Sequence, residues 1–434
     1  MAVFALLLVA ILFENSASAA RRPPNPEQTP KYSTQFSALI AADPRVEAAL
    51  HSIESREEPL VAEWIRLAEI PAPSGKEQER AKYIHRELEK LKLQNVHTDE
   101  AGNVSGVRKG AGGGPTIVFC AHMDTVFPAS TPIKVKREGK LLKAPGIGDD
   151  TGNLAAILEM FRALDRAQIR TKGDLIFLAT TQEETRLQGA RYWLTHAAHK
   201  PDMFIAADIP LGVVWYGALR LAALEFVYTA PGAHTLMSRD EPSPVKAVAH
   251  AISAVYQIPL PPTAPEASPM RLPVINVGRI GGGAVINSIP KEAFFTVDLR
   301  SFDSATQDRL QTEVTRAAKA AADAEHVGFR IEKPEGDDLD YSNALTRDQR
   351  RANPLVQTAL DIHKYLKVAL LPDAMDVGST DANVGVALGI PSIAIGATAG
   401  RDAHTTDEGA EAQSIVPGAK SLVLMAVSLA ELAN

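Results

Sequence analysis

The sequence lacks two features that would narrow its function at once, a set of cysteines and an excess of positive charge. Its 434 residues include one cysteine, Cys120, so the chain forms no internal disulfide and does not depend on an oxidising compartment. Cys120 lies in an apolar, strand-like run, which favours a small core residue over a catalytic thiol. The formal net charge of −7 gives no basic surface of the kind that binds nucleic acid, so no nucleic-acid partner is expected.

Long hydrophobic runs are absent beyond the N-terminal segment. Residues 2–13 are an unbroken apolar run too short to span a bilayer comfortably as a helix, and Ala17-Ser18-Ala19 then offers a small-x-small cleavage pattern. We therefore predict a signal peptide at residues 1–20, cut after Ala19 or Ala20, and a secreted or periplasmic protein. A retained anchor is the alternative, because no Lys or Arg precedes the apolar run. No other contact with a membrane is expected, since no later segment is apolar enough to span one.

What the first half of the chain does contain is an alternation of strand and helix patterns. The pattern predicts a helix near Val46–Ala68 and a second helix from Ser74 to about Leu91, in which Glu77 completes a capping box with Ser74. It then predicts a strand pair over Val96–Val107. Strands at Ile117–Ala121, Leu175–Thr180 and Met203–Ala207 follow, together with helices at Leu154–Ala167 and Gly189–His196. Strands that alternate with helices are typical of an α/β sheet covered on both faces.

After Gly217 the pattern changes into two strand-helix-strand groups. These comprise strands at Leu221–Ala230, Val274–Ile280, Phe294–Leu299 and Val327–Glu332, helices at Ser243–Tyr256 and Ser304–Ala324, and a Pro-rich loop at Pro259–Pro273. A mixed-charge linker, Glu335–Arg351, then precedes a helix at Leu355–Leu366 and a buried strand at Ser392–Ile395. We therefore predict a catalytic domain over residues 21–216 and 335–434, interrupted at 217–334 by an inserted α+β domain with one open sheet face.

Polar side chains follow the buried strands at the points where these strands end. His122, Glu183 and Asp208 each come after an apolar run, and open α/β sheets bind ligands beyond the carboxyl ends of their strands. Residues two apart share one face of an extended chain. Asp124 can therefore orient the ring of His122 if His122 binds a metal. Taken singly, each of these residues is more simply explained as an exposed loop residue.

A carboxylate between glycines offers a bridging ligand. Asp149 lies in Gly148-Asp149-Asp150, just before the helix that begins near Leu154. Its two oxygens can bridge two metal ions about 3.5–4 Å apart. The alternative is that this segment only caps the helix, through Asp150 or Thr151.

Two adjacent acids and a distant histidine complete a candidate site for two metal ions. Glu183 and Glu184 follow the predicted strand Leu175–Thr180, and charged side chains at the end of a buried strand are expected to have a function. We assign Glu184 to a metal and Glu183 to the general base. With Asp208 and His404 included, each zinc would have one histidine, one terminal carboxylate and a share of Asp149, with a fourth place left for a bridging water. Nitrogen and oxygen ligands also accept Co²⁺ or Mn²⁺.

These motifs resemble those of the co-catalytic zinc peptidases that include aminoacylase, glutamate carboxypeptidase of the folate-cleaving type, peptidase T and succinyl-diaminopimelate desuccinylase. The matching blocks are His122-Met-Asp124-Thr-Val126, Gly148-Asp149-Asp150-x-Gly152, Glu183-Glu184 with Gly189-Ala190, and Gly378-Ser-Thr-Asp381-Ala-Asn383. The resemblance implies an α/β, phosphorylase/hydrolase-like mixed-sheet catalytic domain with an inserted ferredoxin-like lid that often serves for dimerisation. It implies the same roles for the residues above: His122, Asp149, Glu184, Asp208 and His404 as ligands, Glu183 as the base, and Asp124 as the support of His122.

The lid contains further residues that the resemblance implicates. His234 resembles a lid histidine that stabilises the oxyanion, in some dimers from the partner subunit. Asn287 and Arg300 resemble lid residues that hold the substrate, and an arginine fork suits a carboxylate. Two positions depart from the family pattern, Thr151 where Lys is usual and Arg186 where Gly is usual. Substrate preference is therefore the assignment left most open.

The sequence thus predicts a metal-dependent exopeptidase, such as a carboxypeptidase, that hydrolyses small peptides with a water activated by two zinc ions. An N-acyl amino acid amidohydrolase is the main alternative. A non-catalytic binding protein on the same fold is disfavoured because every ligand and the base are present. A homodimer formed through the lid would fit the resemblance.

Overall fold

A mixed sheet of seven strands forms the centre of the larger part of the protein. The computed structural model describes residues 34–263, 271–302, 304–333, 345–370 and 376–433. In spatial order, the strands of this sheet are Gln94–Thr98, Val104–Arg108, Leu175–Thr180, Ile117–His122, Met203–Ala207, Ser392–Ile395 and Val214–Trp215. The strands from Leu175–Thr180 to Ser392–Ile395 run parallel, and antiparallel strands form both edges. The carboxyl ends of the parallel strands therefore meet along one edge of the sheet.

Helices cover both faces of this sheet, as the alternating pattern predicts. Successive residues of the central strand point to opposite sides, so Phe119 packs in the core on one face and Cys120 in the core on the other. The helices packed on the first face are Pro44–Glu54, Glu57–Ala68, Gln78–Lys90, Gly152–Arg166, Pro354–Tyr365 and Ile415–Leu429, and those on the second face are Gln188–His196 and Ala382–Ala387. Because both faces are buried, the parallel strands are continuous apolar runs.

A second, antiparallel sheet of four strands is inserted between two strands of the first. Its spatial order is Val274–Gly282, Glu292–Ser301, Arg220–Thr229 and Gly328–Glu332. The helices Pro244–Val255 and Ser304–Ala324 pack on one face against Phe226, Tyr228 and Phe295. This strand order, with two helices on one face, is ferredoxin-like. The predicted fold class is therefore confirmed, including the open face of the inserted sheet.

Shorter elements complete the described fold. They are the helices Ala38–Ala41 and Arg347–Arg351, the π-turn Ile147–Thr151, the 3₁₀ turns Thr235–Met237 and Ala412–Ser414, the strand pairs Ala233–His234 with Ser288–Ile289 and Gly217–Ala218 with Val377–Gly378, and a small sheet of Lys136–Glu138, Leu141–Lys143, Ala399–Arg401 and Gly409–Glu411. The small sheet positions the loop that contains His404.

Two helix predictions near the N-terminus were wrong in detail. The segment predicted as one helix over Val46–Ala68 is two helices, because Pro59 would clash with the carbonyl of Ser55 in a continuous helix but fits the first turn of a new one. The predicted capping box at Ser74 does not form. The carboxylate of Glu77 instead accepts hydrogen bonds from the backbone N–H groups of Gly75 (2.7 Å) and Gln182 (3.1 Å), and the helix begins at Gln78.

Several predicted segments lie partly or wholly outside the described residues. Residues 1–33, which contain the predicted signal peptide, are among them, as are residues 264–270 of the Pro-rich loop. The predicted linker Glu335–Arg351 is described only from residue 345, and its end is a short helix, Arg347–Arg351.

One later segment is apolar enough to cross a membrane, contrary to the expectation from the sequence. Ala412–Leu429 meets the length and hydropathy criteria, but 78% of it is buried inside the protein. It contains the core helix Ile415–Leu429, which packs against Gly152–Arg166. Its apolar character is therefore explained by its place in the core.

Candidate metal centre

The strand ends place three of the predicted residues along one edge of the sheet. His122 is the last residue of its strand and pairs in register with Thr180 of the neighbouring strand. Asp208 directly follows the Met203–Ala207 strand, and its N–H donates to the carbonyl of Ile395 at 3.0 Å. Glu183 follows the Leu175–Thr180 strand after two residues. The parallel arrangement thus gathers residues that are far apart in the sequence.

Asp149 lies between two histidines that come from opposite ends of the site. Its Oδ1 is 2.9 Å from Nε2 of His122, and its Oδ2 is 3.1 Å from Nε2 of His404. Each oxygen therefore faces a different imidazole. This is the arrangement expected of a carboxylate shared by two metal ions.

Each histidine also approaches a second carboxylate. Nε2 of His122 is 3.5 Å from Oδ1 of Asp208, and Nε2 of His404 is 3.0 Å from Oε1 of Glu184. The closest contacts divide the cluster into two groups, His122 with Asp208 and His404 with Glu184, each sharing Asp149. The five side chains predicted as ligands are thus brought together.

The separations between these ligand atoms are compatible with ligands of a shared metal ion as well as with ion pairs. Two ligands of one tetrahedral zinc, each about 2.0–2.1 Å from the ion, are roughly 3.3 Å apart, and the contacts above range from 2.9 to 3.5 Å. In addition, Oδ2 of Asp208 is buried without a hydrogen-bond partner among the described residues. A buried acceptor with no donor costs free energy, and a bound cation would remove this cost.

The charges of the cluster are unbalanced without cations. Burial alone would lower the pKa of His122, but Asp208, Asp150 and other carboxylates raise it well above its usual value. Hydrogen bonds to Asp149 and Glu184 raise the pKa of His404 to about 10. Burial raises the pKa of Asp208 to about 7. The site therefore holds more acidic groups than its own bases can neutralise, and divalent cations would restore the balance.

Asp124 supports His122 from below the cluster. It is completely buried, and Nδ1 of His122 lies 3.3 Å from its Oδ1 and 3.1 Å from its carbonyl oxygen. Its carboxylate also accepts from the hydroxyl of Ser74 at 2.6 Å and from the N–H groups of Glu183 at 3.0 Å and Glu184 at 3.3 Å. One carboxylate thereby positions both the histidine and the loop with the two acids.

Neither residue proposed as an alternative helix cap serves that purpose. The Gly152–Arg166 helix has no side-chain cap, and the hydroxyl of Thr151 donates to the carbonyls of Gly146 and Ile147. The buried Asp150 instead accepts from the backbone N–H of His122 at 2.9 Å and from the side chain of Asn153 at 2.7 Å. Asp150 therefore fixes the end of the His122 strand.

Glu408 was missed by the sequence reasoning and holds the loop of Asp149 in place. Its Oε1 accepts from the N–H groups of Gly148 at 2.7 Å and Asp149 at 2.9 Å, and its Oε2 accepts from Gly146 at 2.8 Å. The side chain is buried, which raises its pKa to about 7 against the opposing effect of these hydrogen bonds. Its only sequence signal is its position four residues after His404.

Arg80 was also missed and supplies positive charge beneath the site. It is fully buried, and its guanidinium donates to the carbonyls of Met123 and Ile70, the latter at 2.6 Å. Burial lowers its pKa to about 10, while Asp124 and Asp150 oppose that shift. In a helix of mostly polar residues, nothing in the sequence distinguishes it from a solvated arginine.

A further buried carboxylate, that of Asp381, lies near the strand ends on the face of the sheet that contains Cys120. Asp381 is buried, and its Oδ2 accepts from the hydroxyl of Thr180 at 2.5 Å and from the thiol of Cys120 at 3.5 Å. Burial raises the pKa of Asp381 to about 6. The sequence contained Asp381 within a matching block but gave it no role.

Glu183 and Arg300 share a cavity, whereas His234 and Asn287 lie elsewhere in the inserted part. The cavity measures 450 Å³ and is lined by Glu183, Glu184 and His404 on one side and by the inserted sheet, including Arg300, on the other. Nε of Arg300 is 3.0 Å from Oδ2 of Asp298. His234 and Asn287 are exposed neighbours at the Ala233–His234 strand pair, and neither lines this cavity.

The fold and the paired ligand cluster define a metal-dependent hydrolase. A family model described as "Peptidase family M20/M25/M40" matches residues 118–428, so the chain belongs to this peptidase family. The suspected family is thereby confirmed, and its known dinuclear metal site agrees with the geometry above.

The chain is also similar to individual proteins. The Bacillus subtilis protein YqjE is 24% identical over 388 residues, which cover 85% of this chain and 97% of that protein. A hydrolase from Pyrococcus abyssi is 37% identical over 125 residues, but the match covers 29% of this chain and only 33% of that protein. A Bacillus subtilis structure described as a dinuclear metal binding peptidase, YXEP, has a TM-score of 0.64 at 18% identity and covers 88% of this chain and 100% of that one. At this identity, it shows the fold.

Proposed function

We propose that the protein is an exopeptidase that hydrolyses the amide bonds of small peptides with the help of two zinc ions. The observation that carries this proposal is the position of Asp149, whose two oxygens lie 2.9 and 3.1 Å from nitrogens of two different histidines. His122, Asp149 and Asp208 would hold one ion, and His404, Asp149 and Glu184 would hold the other. When bound, the ions polarise the substrate carbonyl and lower the pKa of a water molecule.

Glu183 is the side chain placed to move protons in this reaction. It is buried, it lines the cavity beside both histidine groups, and its backbone is fixed by Asp124. It would take a proton from the attacking water and deliver it to the leaving amine, so the same residue acts first as base and then as acid. The inserted sheet on the opposite wall would exclude water when a peptide is bound.

A comparison of the two adjacent acids tests these roles. Glu183→Gln should lower kcat by about 10²–10⁴-fold and leave the metal content near two ions per chain. Glu184→Gln should lower the metal content as well, because Glu184 would be a ligand. Turnover on a dipeptide and metal content by mass spectrometry are the two measurements. Retained turnover in Glu183→Gln would end its assignment as the base.

The purified protein also allows the identity of the metal and the class of substrate to be determined. Metal analysis of protein purified without added ions distinguishes zinc from cobalt or manganese. A panel of dipeptides, tripeptides and N-acyl amino acids separates a peptidase from an N-acyl amino acid amidohydrolase, and no turnover by metal-replete protein on any of them would indicate a binding protein. Amidation of the peptide C-terminus tests Arg300 as the carboxylate site, since equal rates with amidated peptides would refute that role.

A second copy of the chain is proposed to supply His234. Within one chain, His234 and Asn287 do not line the cavity that contains Glu183. Beside them lie exposed apolar side chains, with exposed fractions of 87% for Leu236, 73% for Met237 and 101% for Ile286. An apolar surface of this kind is typical of an interface between proteins. A homodimer through the inserted domain would cover it and bring each His234 to the other subunit's site.

Subunit mixing tests this arrangement directly. Glu183→Gln and His234→Ala should each be nearly inactive alone. If His234 acts on the other subunit, refolding them together should restore about one quarter of wild-type activity, because half of the dimers are mixed and each contains one complete site. No recovery in mixed dimers would place His234 in its own subunit's site or outside catalysis.

Export of the protein through a cleaved signal peptide is likewise a proposal. It is supported by the apolar run at residues 2–13 and the small residues that follow it. N-terminal sequencing of the protein from its native source should give a chain that begins at Ala20 or Arg21. A chain that retains residues 1–20 in the membrane fraction would favour the anchor.

A further inference from the structure

Arg186 stands out among the residues that line the cavity between the metal site and the inserted sheet. It follows the two catalytic-loop acids and lines the same 450 Å³ cavity as Glu183, Glu184 and Arg300. Cavities of about 300–1,000 Å³ are typical of sites for small ligands. The side chain of Arg186 is therefore part of the wall that a substrate would contact.

One nitrogen of the Arg186 guanidinium lacks a partner within the described part of the chain. Its Nη1 is buried and has no hydrogen-bond partner there. The other cavity arginines are engaged, Arg300 with Asp298 at 3.0 Å and Arg279 over the ring of Phe294 at 5.4 Å. A buried donor without an acceptor costs free energy. An anion that binds in the cavity could accept a hydrogen bond from Nη1 of Arg186 and remove that cost.

The backbone at this position is also unfavourable for arginine. Arg186 has a φ of +75°, and its neighbour Leu187 has a φ of +58°. Glycine adopts such values without steric cost, whereas a residue with a side chain does not. The loop thus holds a long cationic side chain where glycine would be easier to accommodate, which is the pattern of strain retained at functional sites.

We infer that Arg186 selects peptide substrates that carry an acidic side chain, in addition to the terminal carboxylate. The planar guanidinium fork binds a carboxylate through two parallel hydrogen bonds. Of the other acids that line the cavity, Glu183 and Glu184 belong to the metal site, Asp298 contacts Arg300, and Glu225 accepts no hydrogen bond from Nη1 of Arg186. A carboxylate of the substrate is therefore the anion that would complete this nitrogen. This inference rests on the proposed peptidase function and specifies its substrate class.

Isosteric peptide pairs measure this selection. The pairs are Ala-Glu with Ala-Gln and Glu-Ala with Gln-Ala, all with free termini, so that the members of a pair differ in the charge of one side chain. On metal-replete protein, we expect kcat/KM to favour the acidic member of at least one pair by roughly 10- to 100-fold, the effect of one charge-assisted contact. The preference should lie mainly in KM, because the contact forms in the ground state as well as the transition state.

The variants separate recognition from folding. Arg186→Gly suits the backbone, so it should fold and bind metal, and the ratio within the favoured pair should fall towards one. Arg186→Lys should retain part of the ratio. Lys92→Gly is the matched control, because Lys92 is an exposed cation with a φ of +53° that lines none of the cavities at the metal site, and it should keep the full ratio.

The inference is overturned if wild-type protein shows no preference for the acidic member, or if Arg186→Gly keeps the wild-type ratio. An unchanged ratio with lower rates on both members would mean that Arg186 acts on the metal-site loop and not on the acidic side chain. If wild-type protein cleaves no peptide of either kind, the proposed peptidase function fails first. Cleavage of both members at equal rates leaves that function intact and removes only the role of Arg186.

Discussion

Replacing Glu408 should weaken the binding of both metal ions, although Glu408 is not itself a predicted ligand. Its two oxygens accept three backbone N–H groups of the loop that contains Asp149. A glutamine retains one oxygen but turns an NH₂ group towards one of the three donors. The loss of one charge-assisted hydrogen bond costs about 1.5–3 kcal/mol, and Glu408→Ala, which removes all three, should cost more.

Part of this cost should appear as weaker metal binding, because the loop positions the carboxylate that both ions would share. Outer residues that orient metal ligands typically change affinity by about 10- to 100-fold. We expect the loss of metal affinity in Glu408→Gln to fall within this range. In Glu408→Ala the loss should lie at or beyond the upper end of the range. Competition with a chromophoric chelator measures both affinities, and circular dichroism checks the fold.

Glu411→Gln provides the control, three residues after Glu408 on the short strand that follows it. Glu411 is exposed at the end of Gly409–Glu411, so its replacement should leave both affinities unchanged. Wild-type affinity in a folded Glu408→Ala variant would refute the positioning role of Glu408. A loss confined to one of the two ions would contradict the shared role of Asp149.

Three further predictions concern buried residues. Cys120 is fully buried and its pKa is raised well above the usual value by burial, so a disulfide reagent should label no thiol in the native protein and one thiol after denaturation. Burial lowers the pKa of His363 from 6.5 to about 4, so the unfolded chain binds one more proton between these values. The free energy of unfolding should therefore fall by up to about 3 kcal/mol as the pH drops from 6.5 to 4, and urea unfolding of His363→Leu should lack this part of the decrease. Gly418→Ala should lower the thermal midpoint although alanine favours a helix by roughly 1 kcal/mol, because the added Cβ would lie 1.9 Å from the carbonyl oxygen of Ala397; an unchanged midpoint would contradict this packing.

The strands of the large sheet could be predicted because burial on both faces leaves a simple signature. Leu175–Thr180, Met203–Ala207 and Ser392–Ile395 have the predicted bounds, and each is a short apolar run with turn residues around it. The gathering of His122 and Asp208 at one sheet edge followed from the parallel arrangement, since the carboxyl ends of such strands meet there.

The supporting residues could not be predicted in the same way. Arg80 and Glu408 act through backbone carbonyl and N–H groups that only the folded chain brings near them. Their sequence contexts are a polar helix and an acidic loop, which look the same when solvated. Contacts between a side chain and a distant backbone leave no periodic pattern.

The break at Pro59 differs from these cases because its signal was present. A proline four residues after Ser55 excludes a continuous helix on steric grounds, so the sequence itself indicates two helices there. By contrast, the failure of the capping box at Ser74 required knowledge of Gln182, whose N–H group attracts the Glu77 carboxylate. Local rules failed there because a tertiary partner competed for the same side chain.

The position of the insert has a consequence for how the protein is made. The Met203–Ala207 strand is completed on one side by Ser392–Ile395, and the insert is synthesised between them. A chain that emerges from the ribosome N-terminus first therefore exposes an unpaired hydrophobic strand edge until the insert has passed. His404 also arrives after that point, so a growing chain remains without its hydrolytic centre while its own unfolded segments and those of its neighbours are exposed.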